Sequence, residues 1–337
     1  MKYQNSPIPY IGGKRAMRDI ILWSFPLIYG RYIEVFGGGA SVLFAKMKER
    51  FEVYNDFNGD LVNMFRCVTE RPLALIKALN FLPLHSRQEF SILQNFLNGD
   101  EPEYPYMQEE LQTANEYFNK RDAEEIVKIL TEKSQLYDVE RAAAFYKLIR
   151  YSYGSGGKSF GGQPVNLLST LETLSAAAFR LRETVIENKD FESLIKQYDR
   201  YESFFYLDPP YVETEGHYMV EFPKEDHVRL YDTLKEIKGK FLLSYNDCEF
   251  VKELYKDYTI VEHTRANSLA HRYDSGSRFK ELLIANYDIN ERRKNEPIQL
   301  SLFGDGDYEF NYLQDYRYKR PNHTTVFIPR TIEENRT

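Results

Sequence analysis

The chain has 337 residues, 28% of them charged and 42% hydrophobic, with a formal net charge of −7. That length supports about two domains and a sizeable core. The acidic balance excludes attraction to nucleic acid over the whole surface, and two cysteines, Cys67 and Cys248, exclude a disulfide framework or a Cys-rich metal site. No apolar run reaches membrane-spanning length and the N-terminus lacks the apolar core of a signal peptide, so a cytoplasmic protein with reduced cysteines and no metal is expected.

Residues 5–18 begin with turn formers and carry Gly12-Gly13-Lys14, where two glycines permit close backbone approach and Lys14 supplies a donor. The spacing and the missing Ser/Thr rule out a P-loop. Tyr32-Ile33-Glu34-Val35-Phe36 then runs into Gly37-Gly38-Gly39-Ala40-Ser41 and a helical-looking stretch from Val42 to Glu49. Strand, glycine turn and helix make the first unit of a doubly wound α/β fold. A second strand, Phe51 to Tyr54, ends in Asn55-Asp56, and Asp56 stands near the spacing at which an acid binds ribose hydroxyls in nucleotide sites. With no phosphate signature, a nucleoside ligand without a pyrophosphate fits this half best. Capping the next helix is the alternative duty for Asp56.

From about Arg71 to Arg182 the strand pattern gives way to helical stretches at Gln88–Asn98, Glu109–Phe118, Ala123–Leu136 and Val139–Arg150. Charge is uneven here: Asp100 to Glu140 is acid-rich, whereas Arg141 to Arg182 carries Arg141, Lys147, Arg150, Lys158, Arg180 and Arg182 against Glu172 alone. The polar, glycine-rich run from Tyr151 to Pro164 can mould itself to a phosphate backbone, or serve as a linker. We expect 71–182 to be an inserted, mainly helical recognition domain, with 1–70 and 183–288 forming the catalytic domain and 289–337 a tail.

Strands resume at Thr184–Glu187, followed by Asp190-Phe191, an acid and an aromatic that can hold a purine or act as cap and core residue. Ser203-Phe204-Phe205-Tyr206-Leu207 is an apolar strand that stops at Asp208-Pro209-Pro210-Tyr211. The prolines cannot continue a ladder, so an acid and a carbonyl stand at the carboxyl end of the strand, where open α/β sheets bind ligands. A helix over Lys224–Ile237, strands over Lys240–Ser244, Tyr258–Glu262 and Glu281–Tyr287, and a helix over Cys248–Tyr255 complete the pattern. Arg265, His271, Arg272, Arg278 and Lys280 fall in the loop expected between the last two strands.

Together, Pro9-Tyr10-Ile11-Gly12-Gly13-Lys14, Glu34-Val35-Phe36-Gly37-Gly38-Gly39, Asn55-Asp56, Asp190-Phe191, Asp208-Pro209-Pro210-Tyr211, Ser244-Tyr245-Asn246-Asp247 and the strand Glu281–Tyr287 resemble, in content and order, the Dam-type (D12 class) DNA adenine N6-methyltransferases. The resemblance spans about residues 5–288. It implies a doubly wound S-adenosylmethionine-dependent methyltransferase sheet acting on duplex DNA; a monomer is the default expectation. Asp208 and the Pro209 carbonyl would accept the hydrogens of the adenine amine, Pro210 would shape the turn and Tyr211 would stack on the flipped base. Tyr10, Lys14, Glu34, Phe36, Gly37, Gly39, Asp56, Asp190, Phe191 and Asp208 would hold the cofactor. Arg150, Tyr153 and Lys158 would contact DNA. The run from Tyr151 to Pro164 is shorter and poorer in Arg and Asn than the family's usual hairpin, which leaves the target sequence open.

Transfer to a cytosine ring carbon would need a nucleophilic cysteine after proline, and neither cysteine follows one. A methyltransferase acting on the exocyclic amine of cytosine, and a catalytically silent DNA-binding regulator on the same fold, are the competing readings. In the tail, Gln299-Leu300-Ser301-Leu302-Phe303 resembles the short peptide that docks on the bacterial sliding clamp, with Gln299, Leu300, Leu302 and Phe303 as anchors. An apolar patch folding back on the catalytic core is the alternative.

Overall fold

The computed structural model describes residues 3–79, 86–98, 112–125, 138–161, 167–212, 222–266 and 278–294. Its centre is a seven-stranded sheet of order β3-β2-β1-β4-β5-β7-β6. The strands are β1 (Arg31–Glu34), β2 (Glu52–Asn55), β3 (Thr184–Glu187), β4 (Ser203–Leu207), β5 (Lys240–Asn246), β6 (Thr259–Ala266) and β7 (Arg278–Ala285). The first five are parallel, and β7 runs antiparallel between β5 and β6.

All five residues of β4 are buried, as an apolar run without alternation demands of a central parallel strand. Phe204 and Tyr206 join one core; Phe205 and Leu207 join the other. The first core contains side chains from α1 (Arg18–Trp23), α2 (Gly59–Glu70), α3 (Pro72–Leu79), α4 (Arg87–Asn98), α5 (Val139–Tyr151) and α6 (Leu167–Leu181). The second contains side chains from α7 (Phe191–Tyr198), α8 (Lys224–Lys235) and α9 (Glu249–Leu254). A short α10 (Glu291–Lys294) follows β7. Helices of the 71–182 segment thus share a core with the sheet, α5 through Phe145, Leu148 and Ile149.

Several sequence expectations are corrected. Val42–Glu49 is a series of turns, not a helix. The Leu43 carbonyl is taken by Arg180 at 2.9 Å and that of Met47 by Lys46 of the stretch itself at 2.6 Å, so side-chain bonds replace helical ones at these carbonyls. The helices α3 and α6 were not anticipated. β6 and β7 pair from Thr259↔Ala285 to Ala266↔Arg278, so Arg265, Arg278 and Lys280, expected in a loop, belong to the ladder. His271, Arg272 and the tail peptide 299–303 lie outside the described residues, as do 162–164.

Two buried acids govern how this layer is held. Glu52 accepts Lys46 Nζ at 2.5 Å and Arg180 Nη1 and Nη2 at 2.5 and 3.0 Å, clamping the β1–β2 connection and α6 onto β2. Burial would raise its pKa, but the two cations more than offset this and hold it below the ordinary carboxylate value. Removing one partner of a buried ion pair strands the rest, at a cost of about 3–5 kcal/mol. Glu52→Ala should therefore lose stability on that scale in urea titration, and a loss under about 1 kcal/mol would contradict the clamp.

Glu34, at the end of β1, is fully buried and accepts the Tyr32 hydroxyl at 2.6 Å. Burial pushes its carboxyl up to about 8 from an ordinary 4.5. Between those values the folded chain holds a proton that the unfolded chain has released, so this group's contribution falls as pH rises and levels off above about 8. Glu34→Gln should gain stability relative to the parent across that window, by up to about 1.4 kcal/mol per pH unit. Parallel melting curves from pH 5 to 8 that keep a constant separation would refute the assignment.

Candidate active site

The carboxyl ends of β1 and β4 lie where the strand order reverses, and the candidate site is built there. Pro209 and Pro210 end β4, leaving Asp208 only 18% exposed at its side chain. From a 3-10 turn (Lys14–Ala16), Lys14 reaches its ammonium to both carboxylate oxygens of Asp208, at 2.6 and 2.7 Å. The same Nζ donates to the Gly12 carbonyl at 3.2 Å and stands 4.8 Å from the centre of the Tyr211 ring. Tyr211 is buried, with its hydroxyl 3.4 Å from Ser244 Oγ, and Asn246 Nδ2 donates to the Val212 carbonyl at 3.2 Å. The Ser244-Tyr245-Asn246 run therefore braces the loop after Pro210.

At the end of β1 the chain turns through Gly37-Gly38-Gly39. A Cβ on Gly37 would fall 2.1 Å from the Tyr54 ring, and Gly38 adopts φ +49°. The turn is tied down by Gly37 N–H to the Asn55 carbonyl at 2.7 Å, by Gly38 N–H to Asp56 Oδ2 at 2.8 Å and by the Tyr54 hydroxyl to the Gly38 carbonyl at 2.8 Å. Asp56 also accepts Asn58 N–H at 2.8 Å, and burial raises its pKa against these bonds. It does not cap α2: Asn58 does, accepting Asp60 and Leu61 N–H at 3.0 and 3.1 Å. Asn58 Nδ2 also donates to the Tyr10 hydroxyl at 3.2 Å.

Asp190 both caps α7, accepting Glu192 N–H at 3.0 Å, and faces the cavity. Arg229 of α8 grips it through two bonds of 2.9 and 2.8 Å and lies 4.0 Å over the Phe191 ring. Burial alone would raise the Asp190 pKa; the guanidinium outweighs it and holds the acid below its usual value. Phe36, Phe191 and Phe222 surround one another with ring centres 5.6–5.7 Å apart.

All ten residues expected to hold the cofactor line one cavity of about 160 Å³, and Pro210 joins them. Its lining fits S-adenosylmethionine: an aromatic end for a purine, a carboxylate at the glycine turn, and the Asp208 carboxylate for a cationic centre, with Glu34 buried beside it. No signal in sequence pointed to Arg229, Phe222 or Asn58; Asn55, read there only as part of the Asn55-Asp56 strand end, donates from Nδ2 to the Val35 and Lys189 carbonyls at 2.9 and 3.0 Å.

Of the expected DNA contacts, Tyr153 is half exposed and Lys158 lies on the same loop. That loop is a small hairpin: Tyr153 N–H donates to the Ser159 carbonyl at 2.8 Å and Gly161 N–H to that of Tyr151 at 2.7 Å. Gln94 Nε2 fastens it through the Gly157 and Lys158 carbonyls, and Gly156 lies beside Ile11, next to the Gly12-Gly13-Lys14 turn. Arg150, on α5, faces a separate cavity.

Comparison with known proteins agrees with this geometry. The chain is 27% identical over 300 residues to the Type II methyltransferase M1.LlaDCHI of Lactococcus lactis subsp. cremoris, covering 82% of this chain and 94% of that protein. It is 24% identical over 308 residues to the modification methylase StsI of Streptococcus sanguinis, covering 85% of this chain and 43% of that protein. It is 25% identical over 269 residues to the Type II methyltransferase M.CviBI of Paramecium bursaria Chlorella virus NC1A, covering 74% and 90%. The model of the D12 class N6 adenine-specific DNA methyltransferases matches residues 10–269, and with the glycine turn, Asp56 and Asp208 gathered around one cavity, the chain belongs to that family.

Proposed function

We propose that Asp208 is the acceptor that makes adenine reactive in this enzyme, and that Lys14 holds its place before DNA arrives. The bound S-adenosylmethionine supplies an electrophilic methyl group on a sulfonium sulfur. The adenine amine is a poor nucleophile because its lone pair is delocalised into the ring. Hydrogen bonds from that amine to the Asp208 carboxylate and the Pro209 carbonyl favour the pyramidal form, in which the lone pair is free.

The observation that carries this reading is the Lys14 ammonium, held between the Asp208 carboxylate and the Tyr211 ring. A flipped adenine needs the same two partners, an acceptor for its amine and an aromatic face for its ring. Lys14 thus keeps a half-buried carboxylate compensated and yields its place to the substrate amine. Around the pair, Tyr10, Glu34, Phe36, Gly37, Gly39 and Asp56 hold the cofactor, with Asp190 and Phe191 at its adenine and Arg229 orienting both. Pro210 shapes the turn.

In the same reading, 71–182 recognises DNA through Arg150 and the hairpin bearing Tyr153 and Lys158, and the enzyme is a cytoplasmic monomer. The names of its relatives favour a restriction-modification setting. Among the described residues no helix is long and apolar enough to cross a membrane. The target sequence follows from sequencing DNA methylated by the enzyme in a host that otherwise lacks modified adenine.

Asp208→Ala should bind duplex DNA as the parent does yet transfer methyl groups at least about 10²-fold more slowly, measured with tritiated cofactor. Turnover within a few-fold of the parent would exclude the role. For the tail, the proposal is docking on a sliding clamp through Gln299, Leu300, Leu302 and Phe303. Leu302→Ala with Phe303→Ala should abolish clamp pull-down and spare methylation of naked duplex; unchanged pull-down refutes it.

A further inference from the structure

Beside the cofactor cavity lies a second one of about 360 Å³, enclosed by the 5–9 segment, the Lys14–Ala16 turn, α1, the glycine turn, α5 and α6. Its chemistry is of one sign. Arg15, Arg18 and Arg150 all line it, together with hydroxyls and an amide, and no acid does among the described residues. Thr170 and Thr173 face it from α6 and Asn5 and Ser6 from the N-terminal segment.

Arg150 brings its Nε into a buried position where it meets no hydrogen-bond partner among the described residues. Arg18 spends Nε on the Arg15 carbonyl at 3.2 Å and has a contact of 3.5 Å from Nη1 to Asn5 Oδ1. Burial and then the neighbouring Arg15 pull its pKa below the ordinary arginine value. Asp19, the acid that acts on Arg18, is occupied by the Tyr3 hydroxyl. Gathering three guanidinium groups around one polar cavity costs self-repulsion, and Arg18 and Arg150 are half-buried while Arg15 is exposed; an entering anion offsets both the repulsion and the lost hydration.

The place identifies the anion. Tyr10, Gly13, Gly39 and Ser41 line both cavities, so the arginine cavity is separated from the amine site by a single layer of residues. Lys14 N–H donates to Ser41 Oγ at 3.1 Å within that wall. A nucleotide rotated out of the duplex carries its flanking phosphates to the mouth of the pocket that takes the base. We propose that Arg15, Arg18 and Arg150 form a phosphate site that grips the DNA backbone beside the flipped adenine. The proposal rests on duplex DNA being the substrate, and it assigns Arg15 and Arg18, on the first helical turns, a part in DNA binding that no hairpin residue supplies.

The test has two arms. In the first, duplexes containing the methylated site carry a neutral methylphosphonate at each phosphate in turn around the target adenine, and binding by the unaltered enzyme is measured. One or two positions next to the adenine should weaken binding by roughly tenfold, with distant positions near neutral. In the second, Arg15→Gln with Arg18→Gln, and separately Arg150→Gln, should weaken the unmodified duplex by a similar factor. They should also lower the slope of log affinity against log salt by about 1 and erase the effect of the sensitive methylphosphonates, with cofactor affinity unchanged. The absence of any sensitive phosphate near the adenine would overturn the proposal. So would weakened cofactor binding in the variants with intact duplex binding, which would give the arginines to the cofactor. So would protection of the enzyme by inorganic phosphate alone with a flat methylphosphonate profile, which would make this a free-anion site. Methylation of unmodified DNA by the parent enzyme, measured alongside, separates failure of this site from failure of the DNA reading.

Discussion

The contact between Lys14 and Asp208 joins two distant parts of the chain at the candidate site. One partner is the last residue of a glycine turn near the start of the chain; the other is the first residue after the central strand, 194 positions later. A carboxylate this enclosed is costly unless a charge or hydrogen bonds compensate it. The ammonium does so, from the side that the proposed mechanism gives to the substrate amine. The loop of Lys14, the strand end of β4 and the Tyr211 loop are therefore held in a common geometry before any ligand enters.

Everything around this pair works to present strand ends at one level. Glu34 pairs in register with Tyr54 of β2 and Tyr206 of β4, so Asp56 and Asp208 emerge at neighbouring corners of the crevice. Asn55 ties the ends of β1, β2 and β3 together through side-chain bonds, and Tyr54 closes against Gly37 where no side chain fits. Behind the crevice, the Lys46–Glu52–Arg180 cluster joins the sheet to a helix of the 71–182 segment. That helix is thereby anchored to the strand next to the glycine turn.

How much of this was legible in sequence follows from the range of the signals. β4 and Asp208 were readable because an apolar run and two prolines specify a strand and its end locally. The glycine turn and Asp56 were readable by spacing, and Asp190-Phe191 by position after a strand. The turns at Val42–Glu49 were misread as a helix because apolar spacing there reports burial in the first core, while Arg180 and Lys46 take its carbonyls. β6 and β7 outran their apolar residues because pairing of backbone groups, not side-chain pattern, sets where a hairpin ladder ends. The partners of Asp208, Asp190 and Asp56 are made by tertiary proximity, so no local pattern could name Lys14, Arg229 or Gly38 for those roles.

The account turns on the substrate amine taking the position of the Lys14 ammonium. A crystal structure with a duplex bearing the target adenine and a cofactor analogue that lacks the methyl group tests this directly. The expected result is an adenine amine within about 3 Å of an Asp208 oxygen, with the Lys14 ammonium moved off that oxygen and off the Tyr211 ring. An intact Lys14–Asp208 pair with the flipped amine more than about 4 Å from Asp208 would contradict it.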